Sequence, residues 1–333
     1  MHIDASLTAS SLRDVPSHAA AAEALGFDAV WTSETQHDPF LPLALVAEHT
    51  RSLHFGTAVA IGFARSPTVL AHTAWDLADL SGGRFLLGLG TQVRAHIERR
   101  FGMPWPASPV GQLREYIAAL RAVWAVWQSG ERLNQRGEYY KLTLMTPFFS
   151  PGAIDHPAVP IYIAGVNPAL CRLAGEAADG LHVHPYHSVR YLREVVRPAV
   201  DEGRRRAGRG ADAVAYAVSV FAVRDDAQAE FARSQIAFYA STPSYRAVMA
   251  THGWEATADQ LGALARRGAW GEMGACITDE MLQTFAVVAP GESLAAALRD
   301  RYQGLADRLT LYLPFRPGED DSFWRRLIEG LKS

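Results

Sequence analysis

The chain has 333 residues, 49% apolar and 20% charged, with a formal net charge of −3 and two cysteines. These values sit near the globular average and exclude disordered and fibrous classes, and the weakly acidic balance argues against a nucleic-acid partner held through phosphates. Lys141 and Lys332 are the only lysines among 32 basic residues, so Schiff-base or carbamylated-lysine chemistry has almost nowhere to sit. In chain order, apolar runs predict strands at about 2–7, 27–32, 53–61, 84–89, 159–164, 180–184, 214–223 and 308–313. The runs are continuous rather than alternating, as in parallel strands covered on both faces. Four of them follow directly on a helical stretch ending at Gly26, Gly82, Gly180 or Gly304. Glycine tolerates the left-handed conformation that ends a helix, so this reads as a repeated α-to-β turn. Between strands lie amphipathic helices; over 113–128, Leu113, Tyr116, Ile117, Leu120, Val123, Trp124 and Trp127 share one face.

Eight such repeats predict a single α/β domain over 1–333, a (β/α)8 TIM barrel, with a doubly wound open sheet as the alternative. Two stretches exceed a minimal βα unit: 130–158, rich in Pro and aromatics, and 226–304, mostly helical. Such insertions often cover the C-terminal mouth of a barrel. No apolar run approaches the roughly 20 residues of a membrane span. Met1-His2-Ile3-Asp4 lacks the features of a signal peptide, and Cys171 and Cys276 make no disulfide framework, so a cytoplasmic protein is expected.

Barrel function concentrates where strands end. At Gly165-Val166-Asn167-Pro168, a strand end meets a helix start with Asn167 as cap and Pro168 in the first turn, a ready anion site or an ordinary capped helix. Arg172 is a candidate charge partner there. The third strand loses bulk over Gly56-Thr57-Ala58-Val59-Ala60, which suits a planar ligand against backbone or the taper of a core. The fourth ends in Gly90-Thr91-Gln92, small and polar. After the second, Ser33-Glu34-Thr35-Gln36-His37-Asp38 offers Glu34 or His37 as acid or base, or a polar helix start. His182 and His184, two apart, can share the barrel-facing side, with His187 nearby. No carboxylate or lysine completes a metallohydrolase set, so histidines lining the mouth or facing substrate are expected and a metal is not. Arg204-Arg205-Arg206 with Arg209 reads as a solvated helix end.

Taken together, Glu23-Ala24-Leu25-Gly26-Phe27-Asp28-Ala29-Val30-Trp31-Thr32-Ser33-Glu34, Phe55-Gly56-Thr57-Ala58-Val59 and Ser81-Gly82-Gly83-Arg84-Phe85-Leu86-Leu87-Gly88-Leu89-Gly90 resemble the bacterial luciferase-like superfamily. Leu173-Ala174-Gly175-Glu176-Ala177-Ala178-Asp179-Gly180 and Phe285-Ala286-Val287-Val288 continue the match, which spans nearly the whole chain. Phe101-Gly102-Met103-Pro104-Trp105 and Ile236-Ala237-Phe238-Tyr239-Ala240-Ser241-Thr242-Pro243 look most like the branch of coenzyme F420-dependent oxidoreductases. The resemblance implies a flavin or deazaflavin at the strand C-termini, its ring against a third-strand bulge with a non-prolyl cis bond at Ala58–Val59. It further implies polar contacts from Thr91 and Gln92 and a phosphate near Gly165, Val166 and Asn167. Two positions depart from the pattern: Thr35 stands where many relatives carry His, and Gln92-Val93 where sugar-phosphate dehydrogenases carry Glu.

The expectation is therefore F420-dependent hydride transfer to or from a small organic substrate, with Glu34 or His37 moving the proton and Asp4 and His184 on the substrate side. The alternatives are an FMN-dependent monooxygenase using dioxygen and a non-catalytic flavin or deazaflavin binder. The resemblance also implies a homodimer.

Overall fold

The structure, a computed structural model, describes residues 1–332. Eight parallel strands close on themselves: His2–Ser6, Ala29–Thr32, His54–Thr57, Phe85–Gly90, Ile161–Gly165, Gly180–Val183, Ala215–Val223 and Arg308–Leu311. Each pairs with its successor, and the eighth returns to the first through Arg308 beside His2 and Thr310 beside Asp4. The predicted (β/α)8 barrel is what forms, and the open-sheet alternative is excluded by that closing ladder. The helix Pro109–Ser129 buries the face read from its spacing, starts at Ser108, whose hydroxyl accepts from Gly111 N–H, and stops at left-handed Gly130.

Gly26, Gly82 and Gly304 adopt the positive φ expected of them. Gly180 does not. It lies within the sixth strand, where a Cβ would run into the Tyr162 ring, so glycine is required there for close approach rather than for a turn. The third strand is not the continuous run its apolar pattern over 53–61 suggests, but carries the bulge and cis bond that the resemblance implies. It breaks at Ala58–Val59, a cis peptide bond, and resumes as Ala60–Ile61 against Leu89 and Gly90. Thr57 bridges the break: its hydroxyl donates to Gly88 O at 2.6 Å and accepts from Gly88 N–H at 3.0 Å. One buried side chain thus satisfies two backbone groups that the interrupted ladder would leave unpaired.

The insertion after Pro109–Ser129 forms a small antiparallel hairpin, Gln135–Arg136 with Lys141–Leu142, held by the Glu115 carboxylate accepting from Glu138, Tyr139 and Tyr140 N–H groups. The second insertion carries helices Asp226–Ala240, Glu255–Arg266 and Asp279–Phe285. It also contains Ala286–Val288, an extra parallel strand on the outer end of the seventh that the helical reading of 226–304 overlooked. Arg209 is not a solvated helix end: its guanidinium donates to the carbonyls of Gly175, Ala178 and Ala213 at 2.7–3.0 Å. Arg172, offered as an anion partner, pairs with Glu202 at 3.0 Å instead. Among the described residues no helix is long and apolar enough to cross a membrane.

Inside the barrel, Arg308 grips Asp4 with two 2.8 Å hydrogen bonds, and Trp31 Nε1 donates to the same carboxylate at 2.8 Å. Asp4 is 1% exposed. Its oxygens are consumed by the core, which corrects the expectation that it faces substrate. Removing one partner of a buried ion pair strands the other charge, at a cost of about 3–5 kcal/mol, whereas an apolar replacement of both is often tolerated. Asp4→Asn should therefore lower unfolding free energy by about 3 kcal/mol or more in urea titrations. The double variant Asp4→Leu/Arg308→Met should recover much of that loss; a double variant no better than the single would count against the ion-pair account.

Candidate functional site

The break in the third strand shapes one side of the barrel mouth. Thr57 and Ala60 are fully buried, while Ala58 and Val59 between them are partly exposed. A Cβ at Gly90 would come within 2.6 Å of Val59 Cγ2, so the neighbouring strand must be bare where the bulge leans on it. The bulge is fastened from the second strand. Glu34 Oε2 accepts from Ile61 N–H at 2.7 Å and from Arg65 at 2.6 Å, and its Oε1 accepts from Arg65 at 2.8 Å. Glu34 N–H donates to Val59 O at 3.3 Å. Burial opposes the Arg65 charge, but Glu34 outweighs it and holds the guanidinium above its ordinary value.

With both oxygens engaged, Glu34 is a clamp on the bulge rather than the free acid or base expected of it. His37 lies five residues beyond the second strand, solvent-exposed, with no hydrogen bond to any described residue. Thr35 is exposed, and its carbonyl accepts from Arg100, tying this loop to the helix Arg94–Arg99.

At the end of the fourth strand, Gln92 takes a positive φ of 59°, unusual for a residue with a Cβ. Its Oε1 accepts from Val93 N–H at 2.9 Å, and Thr91 Oγ1 donates to Gln92 O at 3.1 Å. At the end of the fifth, Asn167 Oδ1 caps the helix Pro168–Ala177 by accepting from Leu170 N–H at 3.0 Å, with Pro168 in the first turn as read from sequence. Gly165 is packed tightly: a Cβ would sit 3.1 Å from Leu170 and 3.3 Å from Leu181. Val166 O accepts from Tyr191 OH at 3.0 Å. Behind this loop, burial pushes the Cys171 thiol up to about 12, consistent with a packing role.

The sixth strand supplies His182 and leads into His184. His182 reaches across the interior, edge-on to Trp31 at 4.8 Å and beside Tyr162 at 5.2 Å. A Cβ at Gly88 would come within 2.7 Å of its Nε2. His184 follows directly on the last residue of this strand, Val183. The His184 Nδ1 accepts from Tyr186 N–H at 3.1 Å. Tyr239 stands edge-on to its ring at 4.5 Å, and Tyr245 lies 4.9 Å away. The Tyr239 and Tyr312 hydroxyls are 3.1 Å apart. His187 is buried between His184 O at 2.9 Å and Tyr302 OH at 3.1 Å. No three His, Cys, Asp or Glu side chains among the described residues converge as metal ligands.

The structure places His184 and the loop ends, which the sequence singles out, beside Arg65, Tyr239, Tyr245 and Tyr312, which it does not. Tyr312 follows the eighth strand and was reachable by the end-of-strand rule. Tyr239 lies in the stretch 236–243 that carries the branch resemblance, whereas Tyr245 has no positional signal.

Burial drives the three histidines down: His182 to about 3, helped by the Arg308 charge, His184 to about 3, and His187 to about 4. In the native protein they stay neutral, while in the unfolded chain they titrate near 6.5. The unfolded state therefore binds more protons as pH falls from about 6.5 toward 4, and stability drops through that window. Each histidine contributes a slope of up to about 1.4 kcal/mol per pH unit. His182→Gln, which cannot titrate, should show a shallower loss by up to that amount in urea unfolding at pH 4.5–6.5; parallel slopes would contradict a neutral core histidine.

The comparisons accord with this architecture. Residues 1–308 match the model of the family described as luciferase-like monooxygenase. An uncharacterized protein from Mycobacterium tuberculosis is 48% identical over 297 residues, 87% of each chain. The 5,10-methylenetetrahydromethanopterin reductase of Methanolobus tindarius is 30% identical over 85% of each. Among solved structures, the coenzyme F420-dependent tetrahydromethanopterin reductase from Methanopyrus kandleri superposes with a TM-score of 0.80 at 19% identity, over 99% of this chain and 98% of that one. An F420-dependent secondary alcohol dehydrogenase in complex with an F420-acetone adduct gives 0.76 at 18% identity, over 100% and 99%. With a family model covering nearly all of it, and its strand-by-strand barrel closure, this chain belongs to the luciferase-like monooxygenase family.

Proposed function

We propose that this protein is an oxidoreductase that uses the deazaflavin F420 and moves a hydride between it and a small organic substrate. The observation carrying this reading is the third-strand bulge: Ala58 and Val59 present a low-relief, partly exposed wall to the mouth, bolted down by Glu34 and Arg65. Relatives described as F420-dependent enzymes support the choice of cofactor.

The residues present fit such a group. A planar ring needs a wall without bulky side chains, and Gly90 is bare where Val59 leans on it. Ala58 and Val59 would back the ring, with Thr91 and Gln92 at its polar edge. Gly165, Val166 and Asn167 would receive the anionic tail, at a capped helix start whose first N–H groups favour negative charge. When bound, the deazaflavin supplies the hydride-carrying carbon; the chain's part is binding, orientation and proton handling. In this reading Glu34 is a positioning residue, because its oxygens are committed to Arg65 and Ile61 N–H. His37 is the exposed imidazole left to exchange a proton at the second-strand loop, and His184 lies on the substrate side.

Titration of the purified chain with F420 and FMN tests the cofactor. F420 should bind on the order of a hundredfold more tightly than FMN, and tight FMN binding without F420 binding would favour the monooxygenase reading instead. Glu34→Gln should weaken F420 on the order of tenfold while the far-ultraviolet dichroism stays native. An unchanged affinity would remove Glu34 from the positioning role.

A further inference from the structure

Resting on the hydride-transfer reading, we propose that the corner formed by His184, Tyr239, Tyr245 and Tyr312 is a substrate site for an uncharged, ring-bearing molecule held by one hydrogen-bond-accepting oxygen, as in an aryl ketone, and that it discriminates against anions.

The donor is defined by backbone geometry. Tyr186 N–H can only donate, so His184 Nδ1, which receives it at 3.1 Å, carries a lone pair, and the proton of the neutral ring sits on Nε2. The same turn is locked from its other side by His187 on the His184 carbonyl at 2.9 Å. Nε2 makes no hydrogen bond to any described residue, and His184 is only partly buried, so an N–H is offered to the mouth without a protein acceptor.

The walls are aromatic. Tyr239 and Tyr245 stand 4.5 and 4.9 Å from the imidazole and 6.2 Å from each other, both partly exposed. The hydroxyls of Tyr239 and Tyr312 share one hydrogen bond at 3.1 Å, so one of the two keeps its O–H, and the Tyr245 hydroxyl bonds no described residue; the rest of the lining is ring surface. Such surfaces favour ring-bearing ligands through offset or edge-to-face contact.

Among the described residues no Asp, Glu, Lys or Arg side chain bonds His184, Tyr239, Tyr245 or Tyr312, whose side-chain contacts are imidazole, phenol and other aromatic rings. An anion entering here gives up hydration and meets no counter-charge on these side chains, whereas a neutral oxygen loses less and gains the Nε2–H bond. Arg65, across the mouth, is already committed to Glu34.

Acetophenone and benzoate have nearly the same shape and differ in a methyl group against an oxyanion. Their affinities for the full chain, with and without F420, can be measured by ligand-observed NMR at pH 7. Acetophenone should bind at least about tenfold more tightly than benzoate. His184→Phe should lose that preference, and His184→Gln, which keeps a donor near the Nε2 position, should retain it; thermal unfolding of both variants checks that each is folded. Benzoate binding as tightly as acetophenone, no acetophenone binding at all, or an unchanged preference in His184→Phe would overturn the proposal. F420 binding is read separately from its own fluorescence. A chain that fails to bind F420 yet still separates the two probes would overturn the hydride-transfer reading and leave the selectivity of this corner standing.

Discussion

The buried contact between Asp4 and Arg308 is the constraint on which the rest of the barrel hangs. It joins the first strand to the last, 304 residues apart, at the seam where the sheet closes. Trp31 completes the set from the second strand, so three strands are registered by one carboxylate. A charge pair in a barrel interior is costly to desolvate, and its specificity comes from being fully bonded. The geometry meets that condition: both carboxylate oxygens are engaged, and the Arg308 guanidinium lies 5.8 Å from the Trp31 ring centroid. Around it His182, Tyr162 and Trp31 fill the interior against Gly88, Gly180 and Gly56, two of these pairs on neighbouring strands and the His182–Gly88 pair across the barrel. What remains above them is a mouth rather than a packed core.

The mouth owes its shape to one failure of strand pairing. The third strand pairs with the fourth through Gly56–Leu86, departs at Thr57, and returns at Ala60–Leu89. Thr57 stands in for the missing ladder bonds on the inner side, and Glu34 with Arg65 holds the far end. Neither device is a property of the strand alone. Each depends on residues about thirty positions away being delivered by the barrel, so the bulge is a tertiary feature written in secondary structure.

That distinction explains what could be read from sequence. All eight barrel strands and the buried face of Pro109–Ser129 follow from local periodicity, which burial on two faces or on one stripe imposes directly. The Asn167 cap and Pro168 follow from local chemistry and are found where expected. Gly180 was misread because a glycine before an apolar run looks the same whether it ends a helix or yields to a ring from the next strand. Asp4 and Glu34 were misassigned for a related reason. A carboxylate near a strand end is a candidate acid until its partner is known, and Arg308 and Arg65 lie 304 and 31 residues away. Tyr239 and Tyr245 sit in the second insertion, whose path over the mouth no local pattern encodes. Arg209, read as solvated, is instead spent on carbonyls of the neighbouring helix end and loop.

The two sides of the mouth are consequently built from different materials. On the second- and third-strand side, polarity is invested in fixed, charge-assisted bonds that hold backbone in place and leave small apolar surface toward the opening. On the sixth- and eighth-strand side, the described lining is aromatic, with a Tyr239–Tyr312 hydroxyl pair and an imidazole kept neutral by burial. A ligand bridging the opening meets a rigid wall of small residues at one end and an aromatic one at the other. Rigidity is cheapest where the fold already supplies it, at the bulge next to the barrel ladder. Chemical selectivity is most easily varied where the lining comes from an insertion, because Tyr239 and Tyr245 can change without disturbing a single ladder bond of the barrel.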